Sequence, residues 1–375
     1  MLERVLAAGT AGHVLDFDDT YLPGLAHLSA PTAPAALVLG AELGKGVGAV
    51  LGAYAEGFEA MGAVAAASHP ALYERGWHPT AVCGPVGSAT AAARLLGVDT
   101  ERTRAAVGLS LLGAGGLRAA FGTDGKSLQV GMAAAGGVRA AQLAAAGAEL
   151  PADVARAPAG FEDAFGGRFA EPGARGAIEL NWIKAWPCCL QTHGAIEAAN
   201  RARATGVAAG AAVEVAVHPV SLKAAPVADP ADGLQAKFSI PYLTAFTLLY
   251  GPPGVDSFGG VDREARDLAR ERVRVRLDGA LLESEALLEA EGSTFRVEAA
   301  LGSPQRPMDP EALATKVKAL AGGRLEGALD DLDRPAGDLL AVLEPRAQPE
   351  PAVAVNRTPV NRTAGQTAPV ANRRP

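Results

Sequence analysis

The residues that could do chemistry in this 375-residue chain are six histidines, a few lysines and one dense run of carboxylates. The run is Asp16-Phe17-Asp18-Asp19-Thr20. Hard cations bind such oxygens. However, no Asp-x-Asp-x-Asp-Gly loop and no His-x-x-Glu pairing stands nearby, so a general base with helix-capping neighbours is the simpler reading, and no metal is expected. His27 follows the run. His78 lies in Gly76-Trp77-His78-Pro79-Thr80, and His193 ends Trp186-Pro187-Cys188-Cys189-Leu190-Gln191-Thr192-His193. Both sit where a loop enters a helix, and free N–H groups at a helix start favour anions. Each is suited to meet a carboxylate, or else caps a helix or fills core space. Lys126, the only lysine between 45 and 184, precedes an almost uncharged helix. A lysine entering an apolar environment is costly unless paired. It could hold a substrate carboxylate or act as an acid, or lie on a surface loop.

Other chemistries lack their signatures. Gly44-Lys45-Gly46-Val47-Gly48 follows a helical stretch rather than a strand, so it is a weak dinucleotide signal. There is no Walker loop and no Gly-x-Ser-x-Gly elbow. The three cysteines, Cys83, Cys188 and Cys189, include no Cys-x-x-Cys pair. That gives no support for structural zinc, and an odd number with two adjacent argues against a disulfide framework. Net charge is −7, which argues against a broad nucleic-acid footprint but leaves room for an anionic small molecule held by a few cations. No basic n-region precedes a long apolar run at the N-terminus, so no signal peptide is expected. No uninterrupted apolar span of about 20 residues exists, so no membrane span is expected. A cytoplasmic setting follows from these features.

The elements that must position these residues change along the chain. Apolar residues recur at helical spacing in 33–45, 47–67, 84–97, 101–113, 127–147 and 188–204. Gly97 and Gly147 stand at expected C-caps, and Asp99-Thr100-Glu101 reads as a helix start. Near 211 the pattern changes. Residues 212–217, 272–277 and 294–299 alternate as strands, with helices over 238–250, 262–271 and 309–321. The expected organisation is an all-α helical domain over 1–205 and a smaller α+β lid over 206–322. A C-terminal segment over 323–345 and a disordered tail over 346–375 follow. The fold class is mainly α.

Taken in order, HVLDFDDTY (13–21), GWHPTAVCGPVGSATAAARLLGVD (76–99), FGTDGKSLQVG (121–131), WPCCLQTHGAIEAA (186–199) and FSIPYLTAFTLLYG (238–251) resemble the MmgE/PrpD family. The likeness runs over about 10–322. That family contains 2-methylcitrate dehydratases, cis-aconitate decarboxylase and related epimerases. The resemblance implies a lyase of a small di- or tricarboxylate working by general acid–base catalysis without a cofactor, or an isomerase of a carboxylate on the same fold. A truncated relative that only binds is a third reading. Carried onto this chain, His78, Lys126, Asp16 and His193 would be catalytic, with His78 moving the proton and Asp16 orienting a neighbour or acting as base. Thr20, His27, Gln129 and Tyr242 would contact substrate. Gln129 stands where the family commonly shows a histidine. The family normally has several more helices before the acidic segment. A homodimer is also implied.

Overall fold

The computed structural model describes residues 1–151, 153–173 and 176–343; the tail expected from 346 lies outside them. Six long helices among the described residues build the N-terminal part: α1 (Leu2–Val14), α2 (Ser29–Glu42), α3 (Val47–Ser68), α4 (Pro79–Leu96), α5 (Thr100–Leu111) and α6 (Gly125–Ala145). Their ends follow the residue chemistry. Asp99 accepts the Arg102 amide at 2.8 Å and so caps α5. Gly97 closes α4 in the left-handed region, at φ 68°. The core here is mostly alanine and valine, with Val38, Leu39, Ala89, Ala92, Ala134 and Val138 buried together.

Small residues set how closely these helices approach. A Cβ on Gly131 of α6 would lie 2.2 Å from the Thr10 hydroxyl and 2.3 Å from the Leu6 carbonyl of α1. A Cβ on Gly57 of α3 would lie 2.4 Å from the Gly87 carbonyl of α4. Only glycine lets these backbones touch. The first contact fixes the C-terminal end of α1 beside the start of α6, and hence the acidic segment beside Lys126.

The chain between 19 and 183 closes a two-stranded ladder. β1 (Asp19–Tyr21) pairs antiparallel with β2 (Asn181–Ile183), Thr20 opposite Trp182. This pairing was not expected from the sequence. It carries Lys184, the next residue after β2, to the acidic segment. The C-terminal part holds α7 (Leu190–Ala204) and a four-stranded sheet of β3 (Val213–Val217), β4 (Val273–Leu277), β5 (Ala286–Ala290) and β6 (Ser293–Val297), ordered β4-β3-β5-β6. β3 and β4 are parallel, and the other pairs are antiparallel. α8 (Ile240–Tyr250) and α9 (Arg263–Arg272) flank it, and α10 (Pro310–Ala321) lies by Phe17 and Trp186. The mainly-α architecture with a smaller α+β region is therefore as expected. In the C-terminal segment, α11 (Ala336–Leu343) turns back, and Ala336 and Leu340 are buried in the helical core. No helix among the described residues is long and apolar enough to cross a membrane.

Candidate active site

The acidic segment begins as the end of α1. Asp16 has φ 53°, a left-handed conformation that a helix end adopts most easily with Gly and that Asp tolerates. Its amide bonds back to the His13 carbonyl at 3.0 Å. The turn swings the Asp16 carboxylate inward, where Oδ1 accepts a short hydrogen bond from Lys126 Nζ and lies 3.3 Å from Lys184 Nζ. All three side chains are buried. Burial alone would raise the Asp16 pKa, but the two ammonium groups hold it well below the usual carboxylate range. Asp16 is thus a fixed anion that orients Lys126. Its Oδ2 has no hydrogen-bond partner.

Three lysines of the C-terminal part finish the turn. The carbonyls of Leu15, Asp16 and Phe17 accept from Lys237, Lys184 (3.1 Å) and Lys316 (2.8 Å) respectively. Helix C-termini leave carbonyls unsatisfied and favour cations. Four of the chain's seven lysines (126, 184, 237 and 316) therefore converge on residues 15–17.

Asp18 accepts from His13 Nδ1 at 2.7 Å and lies 3.4 Å from His27 Nδ1 and 3.6 Å from Lys184 Nζ. Burial would raise its pKa, but these groups drive it far down. Asp19 faces the other way and accepts the Ser29 amide at the start of α2 at 3.1 Å. Burial and the Asp18 charge push its pKa up to about 7. His27 places Nδ1 2.7 Å from the Asp19 carbonyl and 3.4 Å from Thr20 Oγ1.

His13, Asp18 and His27 offer three atoms at metal-ligand spacing. A carbonyl accepts only, so His27 Nδ1 carries a proton toward Asp19 and any lone pair His27 could give would come from Nε2. Asp18 Oδ2 is already taken by His13, and Lys184 supplies the local positive charge.

His78 precedes α4, its amide bonded to the Gly116 carbonyl at 2.9 Å. Its ring packs edge-on against Phe121, centroids 4.9 Å apart, and lies 6.1 Å from the His13 ring. Nδ1 is 2.7 Å from Gln129 Nε2, and the ring's own Nε2 has no hydrogen-bond partner among the described residues. Burial lowers the His78 pKa well below its usual value, and His13 and Lys126 add to the effect.

Asp16, Thr20, His27, His78 and Lys126 line one cavity together with Tyr73, Phe121, Cys189, Gln191 and Phe238. It lies between the helical part and the C-terminal part. Five of the eight residues singled out by sequence meet there. Gln129 stands behind His78 instead, its Oε1 accepting the Leu117 amide at 2.9 Å. Tyr242 is in the core, where its hydroxyl accepts the Asp262 amide at 3.1 Å. His193 is fully buried under Trp186, ring centroids 5.0 Å apart, with the Cys188 backbone as a polar neighbour. Burial, with Lys184, drives its pKa down to about 3. Sequence reasoning missed His13, Asp18, Lys184 and Lys237 as site builders. The scarcity of lysine was the visible signal for the last two.

Comparison with known proteins gives the family of the chain. The MmgE/PrpD N-terminal domain matches residues 3–171, and the MmgE/PrpD C-terminal domain matches 186–334. The cis-aconitate decarboxylase of Homo sapiens is 31% identical over 209 residues, which cover 52% of this chain and 43% of that protein. The cis-aconitate decarboxylase of Mus musculus is 27% identical over 354 residues, covering 84% of this chain and 71% of that protein. The chain thus spans less than half of the human protein in the first match. The two matched domains together take in the helical part with its acidic segment and the part that supplies its capping lysines, and the chain belongs to the MmgE/PrpD family.

Proposed function

We propose that the protein is a cofactor-independent lyase of a small di- or tricarboxylate, and that decarboxylation or dehydration proceeds through negative charge on the carbon next to a carboxylate. The observation that carries this reading is the Lys126–Asp16 pair at the wall of a cavity that also holds two neutral imidazoles. Lys126 is held by its anion partner with its remaining N–H bonds free for a substrate carboxylate. Charge developing beside that carboxylate needs preorganised donors in a site sheltered from water. The buried imidazoles supply a donor and a proton acceptor. Phe121 and Phe238 give the cavity an apolar wall that strengthens each of these interactions. The names of the two relatives favour decarboxylation. As in the family, the working form is proposed to be a homodimer.

The test is incubation with cis-aconitate, citrate and 2-methylcitrate while following CO₂ and alkene absorbance. Release of CO₂ from cis-aconitate supports decarboxylation. An alkene signal without CO₂ supports dehydration. Neither signal, with deuterium still washing into a chiral diacid, would replace the lyase reading by an isomerase. A monomeric mass in solution would overturn the dimer.

A further inference from the structure

The two imidazoles that line the cavity are wired in opposite senses. At His78 the partner is the Gln129 amide. Leu117 N–H donates to Gln129 Oε1 at 2.9 Å, and Gln129 Nε2 lies 3.3 Å from the Leu117 carbonyl. The backbone of one residue thus reads both ends of the side-chain amide. Its N–H needs an oxygen and its carbonyl needs an N–H, so the amide cannot be flipped. The NH₂ group is therefore the end that meets His78 Nδ1, at 2.7 Å. An amide NH₂ only donates, so His78 Nδ1 accepts. In the neutral ring the proton then sits on Nε2, the nitrogen without a protein partner. At His27 the partner is the Asp19 carbonyl, 2.7 Å from Nδ1. A carbonyl only accepts, so His27 Nδ1 carries the proton and Nε2 is bare.

We infer that Gln129 and the Asp19 carbonyl hold His78 and His27 as opposite tautomers, so that His27 is the base of the reaction and His78 a neutral electrophile that keeps its proton. This rests on the lyase reading above for the reaction, though not for the tautomers. It reassigns the proton transfer that the family resemblance suggested for His78. In dehydration, His27 Nε2 takes the proton from the carbon next to a carboxylate. The C–H electron pair moves into that carboxylate to form an enediolate, and His78 Nε2–H donates a hydrogen bond to one of its oxygens. The imidazolium formed on His27 is steadied by the Asp18 carboxylate, 3.4 Å from Nδ1. The pair then returns to form the C=C bond, the β C–O bond breaks, and the leaving hydroxyl takes the His27 proton to depart as water. In decarboxylation the C–CO₂ bond supplies the pair instead, and His27 relays a proton from solvent to the carbon as charge develops there. A neutral imidazole beside a helix start serves as an electrophile without becoming charged. Gln129 is a positioning residue, since it touches His78 and not the cavity.

The test reads the tautomers directly. Protein labelled with ¹⁵N in the imidazole rings is examined by NMR without substrate, and His27→Gln and His78→Gln variants assign the signals. The expected result is Nε2–H for His78 and Nδ1–H for His27. Nδ1–H at His78, or the same tautomer at both, overturns the inference. Gln129→Glu exchanges the donor for an acceptor at constant size. It is expected to move the His78 proton to Nδ1 and to lower kcat about 100-fold, the cost of one lost oxyanion donor, with KM changed less than threefold. A moved proton with kcat within threefold of the parent overturns the electrophile role. Should the Glu variant fail to fold, Gln129→Met removes the donor without adding charge, and mixed tautomers with reduced kcat are expected. Loss of the lyase reading itself shows as parent protein inert toward every carboxylate, an outcome that leaves the NMR result standing on its own.

Discussion

Lys184 Nζ lies 3.1 Å from the Asp16 carbonyl and 3.3 Å from the carboxylate of the same residue, so one buried ammonium grips both ends of the residue that aligns Lys126. It also lies 3.6 Å from Asp18. Removing it with Lys184→Met leaves two buried carboxylates with less compensation. Breaking a buried ionic cluster from one side costs about 3–5 kcal/mol. A denaturant midpoint close to that of the parent would show that Lys184 does not hold the cluster together.

Lys126→Ala should behave differently. Asp16 keeps Lys184, so the fold is expected to survive, though at reduced stability because Lys126 is the stronger of its two cationic partners. The anchoring cation is lost, however, and kcat/KM should fall about 100- to 1,000-fold, the scale of one preorganised charge at a developing anion. Near-normal turnover in this variant would remove Lys126 from the reaction.

Gly131→Ala tests how α1 is seated. The added methyl would meet the Leu6 carbonyl and the Thr10 hydroxyl well inside contact distance. Overpacking of this kind costs about 1–3 kcal/mol. Because the same contact places Asp16 against Lys126, activity should fall further than stability alone accounts for. The readout is kcat measured well below the melting temperature. Unchanged kcat there would separate α1 seating from the site.

Stability should rise with pH between about 3 and 6.5. His13, His27, His78 and His193 all have folded pKa values lowered by burial, His193 to about 3. Below 6.5 the unfolded chain binds protons that the folded chain refuses, so stability is lost as pH falls. Each imidazole contributes up to about 1.4 kcal/mol per pH unit in its window. Asp19, raised to about 7, works in the opposite sense as a single group. Urea midpoints at pH 7.5 and 5.5 should differ clearly, and equal midpoints would mean these rings are not buried neutral.

His193→Leu is the sharpest single change for that prediction. Its ring has at most a weak interaction with the Cys188 backbone, and replacing a poorly satisfied buried polar group by an apolar one of similar size is neutral or stabilising. The variant should keep its activity, gain up to about 1 kcal/mol and show a shallower pH dependence. A collapse of kcat would instead return His193 to the reaction.

The long helices were legible because their apolar spacing is regular and their caps are chemically marked, as at Asp99 and Gly97. β5 was not, since Ala286-Leu287-Leu288-Glu289-Ala290 has helix-forming composition and becomes a strand only by pairing between β3 and β6. The site divides in the same manner. Asp16, His78 and Lys126 announce themselves by neighbouring turns and isolation. Which side of His78 Gln129 would occupy, and whether His193 or Tyr242 would face the cavity, depends on how α4, α6, α7 and α8 pack. Local pattern does not encode that packing. The roles of Lys184 and Lys237 depend on β1–β2 pairing and on the lid, both distant in the chain.

The three lysine–carbonyl bonds that finish the turn after α1 span 168, 222 and 299 residues. Contacts of such separation form late, because the chain between them must first be ordered. During synthesis the N-terminal helices emerge and can pack long before Lys316 has left the ribosome. The helical part would then exist for a time with its acidic turn open to water and the groups of the candidate site unaligned. Reactivity toward carboxylates is therefore expected to be the last property this chain acquires as it matures, and the first it surrenders when the C-terminal part loosens.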